Sequence, residues 1–115
     1  DIVGFDDYSI GAGATADECD RRNAETLAKM RLLSAFADAH GKVAVISESG
    51  WAHVPWSPSP AQDDFYTRAN RLMTAPDVHF AVFTTWSGER TIPTTEAGRQ
   101  DMRKFASLLS VRLIR

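Results

Sequence analysis

Three short apolar stretches set the rhythm of the chain. They cover residues 2–5 (Ile-Val-Gly-Phe), 43–47 (Val-Ala-Val-Ile-Ser) and 80–85 (Phe-Ala-Val-Phe-Thr-Thr). All are β-branched or aromatic and none alternates cleanly. Such runs predict strands of a parallel sheet covered on both faces.

Helical signals lie between them. Thr15 with Glu18 fits a capping box. The segment that follows carries Leu27, Met30, Leu33 and Phe36 at helical spacing, and Gly41 sits where a C′ glycine belongs. A second start is written in Ser59-Pro60-Ala61-Gln62: an N-cap Ser, Pro at the first helical position and Gln three residues on. Phe65, Ala69, Leu72 and Met73 make the apolar face of that helix, and Pro76 follows its end. A third helix is expected from Thr94 or Thr95, with Met102, Phe105, Leu108, Leu109 and Leu113 as its apolar positions. The order is β-α-β-α-β-α. Strands begin at intervals of roughly 40 residues, near the length of one βα unit in a (β/α)8 barrel. Alternation of this kind implies parallel strands joined by right-handed crossovers.

Composition narrows the function classes. The chain has 115 residues, 43% hydrophobic and 24% charged, which suits one small globular domain rather than a disordered or fibrous chain. The net charge is -2, and no basic run exceeds Arg21-Arg22 or Arg103-Lys104. Nothing in that pattern invites nucleic acid or an anionic membrane surface. The longest apolar run is far below the roughly 18 residues of a membrane span. A single cysteine, Cys19, provides neither an intrachain disulfide nor a cysteine-based zinc site. His40, His53 and His79 are scattered without metal-ligand spacing, and His40, before Gly41, reads as a helix-end residue. Gly11-Ala12-Gly13 lacks the third glycine of a dinucleotide loop. No cofactor and no metal are expected. The chain also opens inside a strand-like run and without Met, which predicts a piece cut or processed from a longer protein.

In α/β proteins chemistry gathers at the C-terminal ends of the strands. Here the three runs end in Asp6-Asp7-Tyr8, in Glu48-Ser49-Gly50-Trp51 and in Trp86-Ser87-Gly88-Glu89. Glu48 reads either as a catalytic carboxylate held by a strand or as a structural carboxylate in a cap or ion pair. Trp86 reads either as a floor for the apolar face of a sugar or as a core residue. Trp51 and Trp56 belong to the loop after Glu48, where Trp56 can simply pin the loop. Adjacent strand residues point to opposite faces, so Asp6 and Tyr8 share a side while Asp7 serves a salt bridge or cap. Tyr8 either orients a nearby carboxylate or packs.

At these residues the chain resembles glycoside hydrolase family 26, whose members are (β/α)8-barrel enzymes, mostly endo-β-1,4-mannanases. The resemblance rests on Asp1-Ile2-Val3-Gly4-Phe5-Asp6-Asp7-Tyr8, then Ile46-Ser47-Glu48-Ser49-Gly50, then Phe83-Thr84-Thr85-Trp86. It covers essentially the whole chain, residues 1–115, as the sixth to eighth βα units of the barrel, the C-terminal portion of the catalytic domain. It implies that Glu48 is the nucleophile and that Tyr8 hydrogen-bonds it. It implies further that Asp6 shapes the adjacent subsite and that Trp86 forms a hydrophobic platform where cleavage occurs; Trp51, in the loop after Glu48, is a candidate substrate contact that the resemblance does not itself supply. Ser49 stands where family members commonly have Thr. The family's acid/base is a Glu on strand four, upstream of Asp1, so this piece alone is expected to be inactive. The implied reaction is double displacement with retention, on mannan-type glycans, without cofactor. Xylan and mixed-linkage glucan stay open as substrates. The implied location is secreted or cell-surface, and the implied partner is the N-terminal part of the same barrel.

Two other classes compete. The three tryptophans suit a non-catalytic carbohydrate-binding barrel fragment. Asp6-Asp7 after an apolar strand also resembles the acidic pair of a receiver-type signalling domain, but such a domain needs five strands and a late Lys.

Overall fold

The computed structural model describes residues 1–10, 13, 15–50, 60–84, 93 and 95–113, with the side chains of 60–64 and 110–113 outside the description. The elements run β1 (Ile2–Asp7), α1 (Ala16–His40), β2 (Val43–Ser49), α2 (Pro60–Met73), β3 (Phe80–Phe83) and α3 (Glu96–Leu113). The protein is an α/β fold, and its strands form one parallel sheet in the order β1-β2-β3.

The helix ends follow from their chemistry. The Thr15 hydroxyl accepts from Glu18 N at 3.1 Å and satisfies one of the orphan donors at the start of α1. Gly41 closes the same helix at φ 61°, and its N–H bonds to Ala37 O. The His40 ring reaches back to Phe36 O at 2.7 Å, satisfying a carbonyl of the last turn. Thr95 caps α3 by accepting from Gly98 N at 3.1 Å. Arg103 and Arg99 both donate to Glu96 in the first turn of α3 and hold its carboxyl below the ordinary value. Ser59 and Thr94 lie outside the described residues, as do the side chains of Gln62 and Leu113.

A single core forms between the helices and one face of the sheet. It contains Met30 and Ala37 from α1, Ala44 and Ile46 from β2, Phe65, Ala69 and Leu72 from α2, Phe80 and Phe83 from β3, and Phe105 from α3. Edge-on aromatic contacts link its parts: Phe5 with Phe80 at 6.1 Å between centroids, and Phe83 with Phe105 at 4.9 Å. Polar bonds tie the helices together. Arg68 donates to Asp20 at 2.8 Å, and Thr67 donates to Asp101 at 2.6 Å.

Two expectations change. The apolar runs suggested a sheet covered on both faces, yet the described helices cover only one. Residues on the other face step from apolar to acidic along the strands: Ile2 opposite Val43, then Gly4 opposite Val45 opposite Val82, then Asp6 opposite Glu48. Ile2 is 70% exposed, and Val43 and Val82 are exposed as well. The close pairing in the middle layer requires glycine, because a Cβ at Gly4 would stand 2.6 Å from Val45 Cγ2. The face of α1 departs from the expected stripe at one position: Met30 is buried and Leu27 and Leu33 pack against the core, but Phe36 does not. Its buried positions are Cys19, Thr26, Met30, Ser34 and Ala37, whereas Phe36 stacks on His40 in the open. Small and polar residues let the helix approach the sheet, and the bulky Leu32 and Phe36 turn aside.

Candidate active site

The C-terminal ends of parallel strands share one rim, so the ends of β1 and β2 bring Asp6, Asp7, Tyr8, Glu48 and Ser49 together. Which face each takes depends on an irregularity in β2. Phe5 pairs with Ile46 and Asp6 pairs with Glu48, which leaves Ser47 as one extra residue without a cross-strand partner. That is a β-bulge, and it breaks the two-residue alternation. Ala44 and Ile46 face the helices. Regular alternation would send Glu48 the same way. The bulge turns it to the uncovered face, beside Asp6 and Tyr8, and sends Ser49 into the core opposite Asp7.

On that face Tyr8 Oη donates to Glu48 Oε2 at 2.9 Å. Glu48 is half-buried and Tyr8 is exposed. The second carboxylate is held separately: Ser47 Oγ donates to Asp6 Oδ1 at 2.7 Å. Two aimed carboxylates, each with its own hydroxyl donor, therefore stand side by side on adjacent strands. A half-buried carboxylate of this kind can act as a nucleophile or accept hydrogen bonds from a polar ligand.

Asp7 has a different task. It is buried, accepts from the Ser9 backbone N–H at 2.8 Å and from the Ser9 hydroxyl, and accepts from Thr26 Oγ1 at 2.9 Å. Lys29 Nζ lies 3.8 Å away on the solvent side. Asp7 thus fastens the end of β1 to the middle of α1 and fixes the backbone that carries Asp6 and Tyr8. Replacing Thr26 with Val removes one donor to a buried charge, and we expect a loss of about 1–3 kcal/mol, read from urea unfolding. Thr26→Ser, which keeps the hydroxyl, should lose less.

Of the residues expected at the site, the structure brings together Glu48, Tyr8 and Asp6. Trp51 and Trp86 lie outside the described residues, as do His53, Trp56, Gly11, Ala12, Thr85 and residues 87–89. Sequence reasoning missed Ser47 and Thr26. The doublet Ser47-Glu48 interrupting an apolar strand was the only signal of the bulge. Among the described residues no group of three or more His, Cys, Asp or Glu side chains could hold a metal ion, and no helix is long and apolar enough to cross a membrane.

Among the described residues, the fold and the rim define an α/β layer with one uncovered face and two positioned carboxylates at its C-terminal edge. Comparison of the chain with family models, curated proteins and solved structures finds no match.

Proposed function

We propose that this chain forms the last three βα units of a (β/α)8 barrel belonging to a retaining endo-β-glycanase, with mannan-type polysaccharides as substrate and Glu48 as nucleophile. The observation that carries the reading is the 2.9 Å hydrogen bond from Tyr8 to Glu48 on the uncovered face of the strand ends. The sheet supports it in a second way. Strands in sequential order with all three helices packed on one face form a single layer, and such a layer closes into a barrel when further βα units complete it. Its uncovered face then becomes the interior, with apolar layers at Ile2, Val43, Val45 and Val82 and the acidic pair at the catalytic rim.

The chemistry follows from two carboxyl groups. One oxygen of Glu48 attacks the anomeric carbon as the glycosidic C–O bond breaks, and the leaving oxygen takes a proton from an acid. The covalent glycosyl-enzyme is then hydrolysed by water that gives its proton to the same group, now a base, and configuration is retained. The acid/base belongs to an upstream strand of the complete barrel and would stand about 5–5.5 Å from Glu48. Tyr8 holds the nucleophile in line. Trp86 and Trp51 supply apolar faces for sugar rings, and Asp6 accepts from a sugar hydroxyl. The β-glycan substrate places the protein outside the cell or at its surface.

The test is hydrolysis of β-mannan by the complete barrel, with the anomeric configuration of the first product followed by NMR. Inverted product, or none, overturns the reading. Within it, Tyr8→Phe should lower kcat about 10- to 100-fold, the range expected for losing one hydrogen bond to a charged group. An unchanged kcat would remove Tyr8 from the machinery.

A further inference from the structure

We infer that Ser47 is a positioning residue, whose hydroxyl aims the Asp6 carboxylate at a hydroxyl group of the bound sugar and so acts on substrate binding rather than on bond cleavage. The inference rests on the glycanase reading of this rim and deepens it.

The bulge is the starting point. Ser47 is the residue that β2 carries in excess of its partner strand, and it stays exposed on the open side of the sheet. Its one hydroxyl proton goes to Asp6 Oδ1 at 2.7 Å. Among the described residues no other side chain bonds Asp6, so this single bond selects the rotamer of the exposed carboxylate. A carboxylate offers about four lone-pair positions, and Ser47 occupies one. Asp6 is exposed, so the remaining positions are open to neutral donors such as sugar hydroxyls. Glu48 is held by a different donor, Tyr8. The pairs Ser47–Asp6 and Tyr8–Glu48 are adjacent and use different donors. Disturbing the first should therefore be felt in ground-state binding, while disturbing the second is felt in the chemical step.

The experiment measures kcat and KM on a manno-oligosaccharide for the complete barrel, with Ser47→Ala, Ser47→Thr, Asp6→Asn and the Ser47→Ala/Asp6→Asn double variant. Ser47→Ala should raise KM about tenfold, the effect of freeing one charge-assisted contact. Its kcat should stay within about threefold, the pattern of a lost binding interaction. Ser47→Thr keeps the hydroxyl and should restore the parent KM. In the Asp6→Asn background, Ser47→Ala should add little, since both changes break one pair. A fall in kcat at constant KM overturns the inference, as does a parent-like KM in Ser47→Ala, a failure of Thr to restore it, or full additivity with Asp6→Asn. Turnover that survives in the parent and is lost in Glu48→Ala, combined with a silent Ser47→Ala, removes this inference alone. A parent that cleaves no β-glycan removes both it and the glycanase reading. Should Ser47→Ala unfold, Ser47→Thr and Asp6→Asn still decide: Asp6→Asn must raise KM and Ser47→Thr must not.

Discussion

Replacing Glu48 with alanine in the complete barrel should lower kcat on mannan by on the order of 10⁴-fold or more, the scale seen when a nucleophile that acts as part of a unit is removed. The size follows from the proposed role. Without the carboxylate there is no covalent intermediate, and the small cavity left behind offers water no aligned path. Affinity for a manno-oligosaccharide should change much less, because a nucleophile contributes mainly to the transition state. Added azide should enter the vacated space, attack the anomeric carbon of an activated aryl glycoside and yield a glycosyl azide of inverted configuration. Loss of binding with little change in kcat would instead make Glu48 a sugar contact rather than the nucleophile.

The largest loss of stability should come from Phe80→Ala. Phe80 is 1% exposed at the start of β3 and meets the ring of Phe5 edge-on across the sheet. Phe65, Phe83 and Phe105 continue the aromatic cluster toward α2 and α3. Removing the ring leaves a cavity that rigid strands cannot fill, and truncations of this kind cost about 3–5 kcal/mol. Urea unfolding of the 115-residue chain measures it. Val82→Ala is the matched comparison, since Val82 sits on the uncovered face of the same strand. In this chain it should stay within about 0.5 kcal/mol of the parent, as surface changes do. In the complete barrel, where the proposal makes that face interior, the same change should cost more. Equal costs in the two contexts would argue against closure over Val82.

The local elements were legible because their signals are local. Thr15, Gly41 and Thr95 act through bonds to backbone groups within a few residues, so their spacing alone locates the ends of α1 and the start of α3. The apolar runs likewise marked all three strands, although β3 stops at Phe83 and β1 and β2 extend two residues past the predicted runs. Their last residues, Asp6, Asp7, Glu48 and Ser49, are polar and paired across the sheet. Less legible was the face of α1. Met30, Leu27 and Leu33 of the expected stripe do meet the core, yet Phe36 is exposed and the most buried positions include Thr26, Ser34 and Ala37. Hydrophobicity along the chain does not register how closely a helix must approach its sheet.

The order β-α-β-α-β-α, the helix caps and the gathering of carboxylates at strand ends were determined by sequence alone, because each depends on residue types at fixed short spacings. Tertiary structure decided which way those carboxylates point. Strict alternation in β2 would have placed Glu48 among the helices with Ala44 and Ile46. One extra residue, Ser47, shifts the register against β1 and turns Glu48 to the open face, within 2.9 Å of the Tyr8 hydroxyl. Asp6 and Asp7, neighbours in β1, part by ordinary alternation: one meets Ser47 on the open face, the other is fastened to Thr26 inside. A bulge is a property of two strands paired together, so no single stretch of sequence contains it.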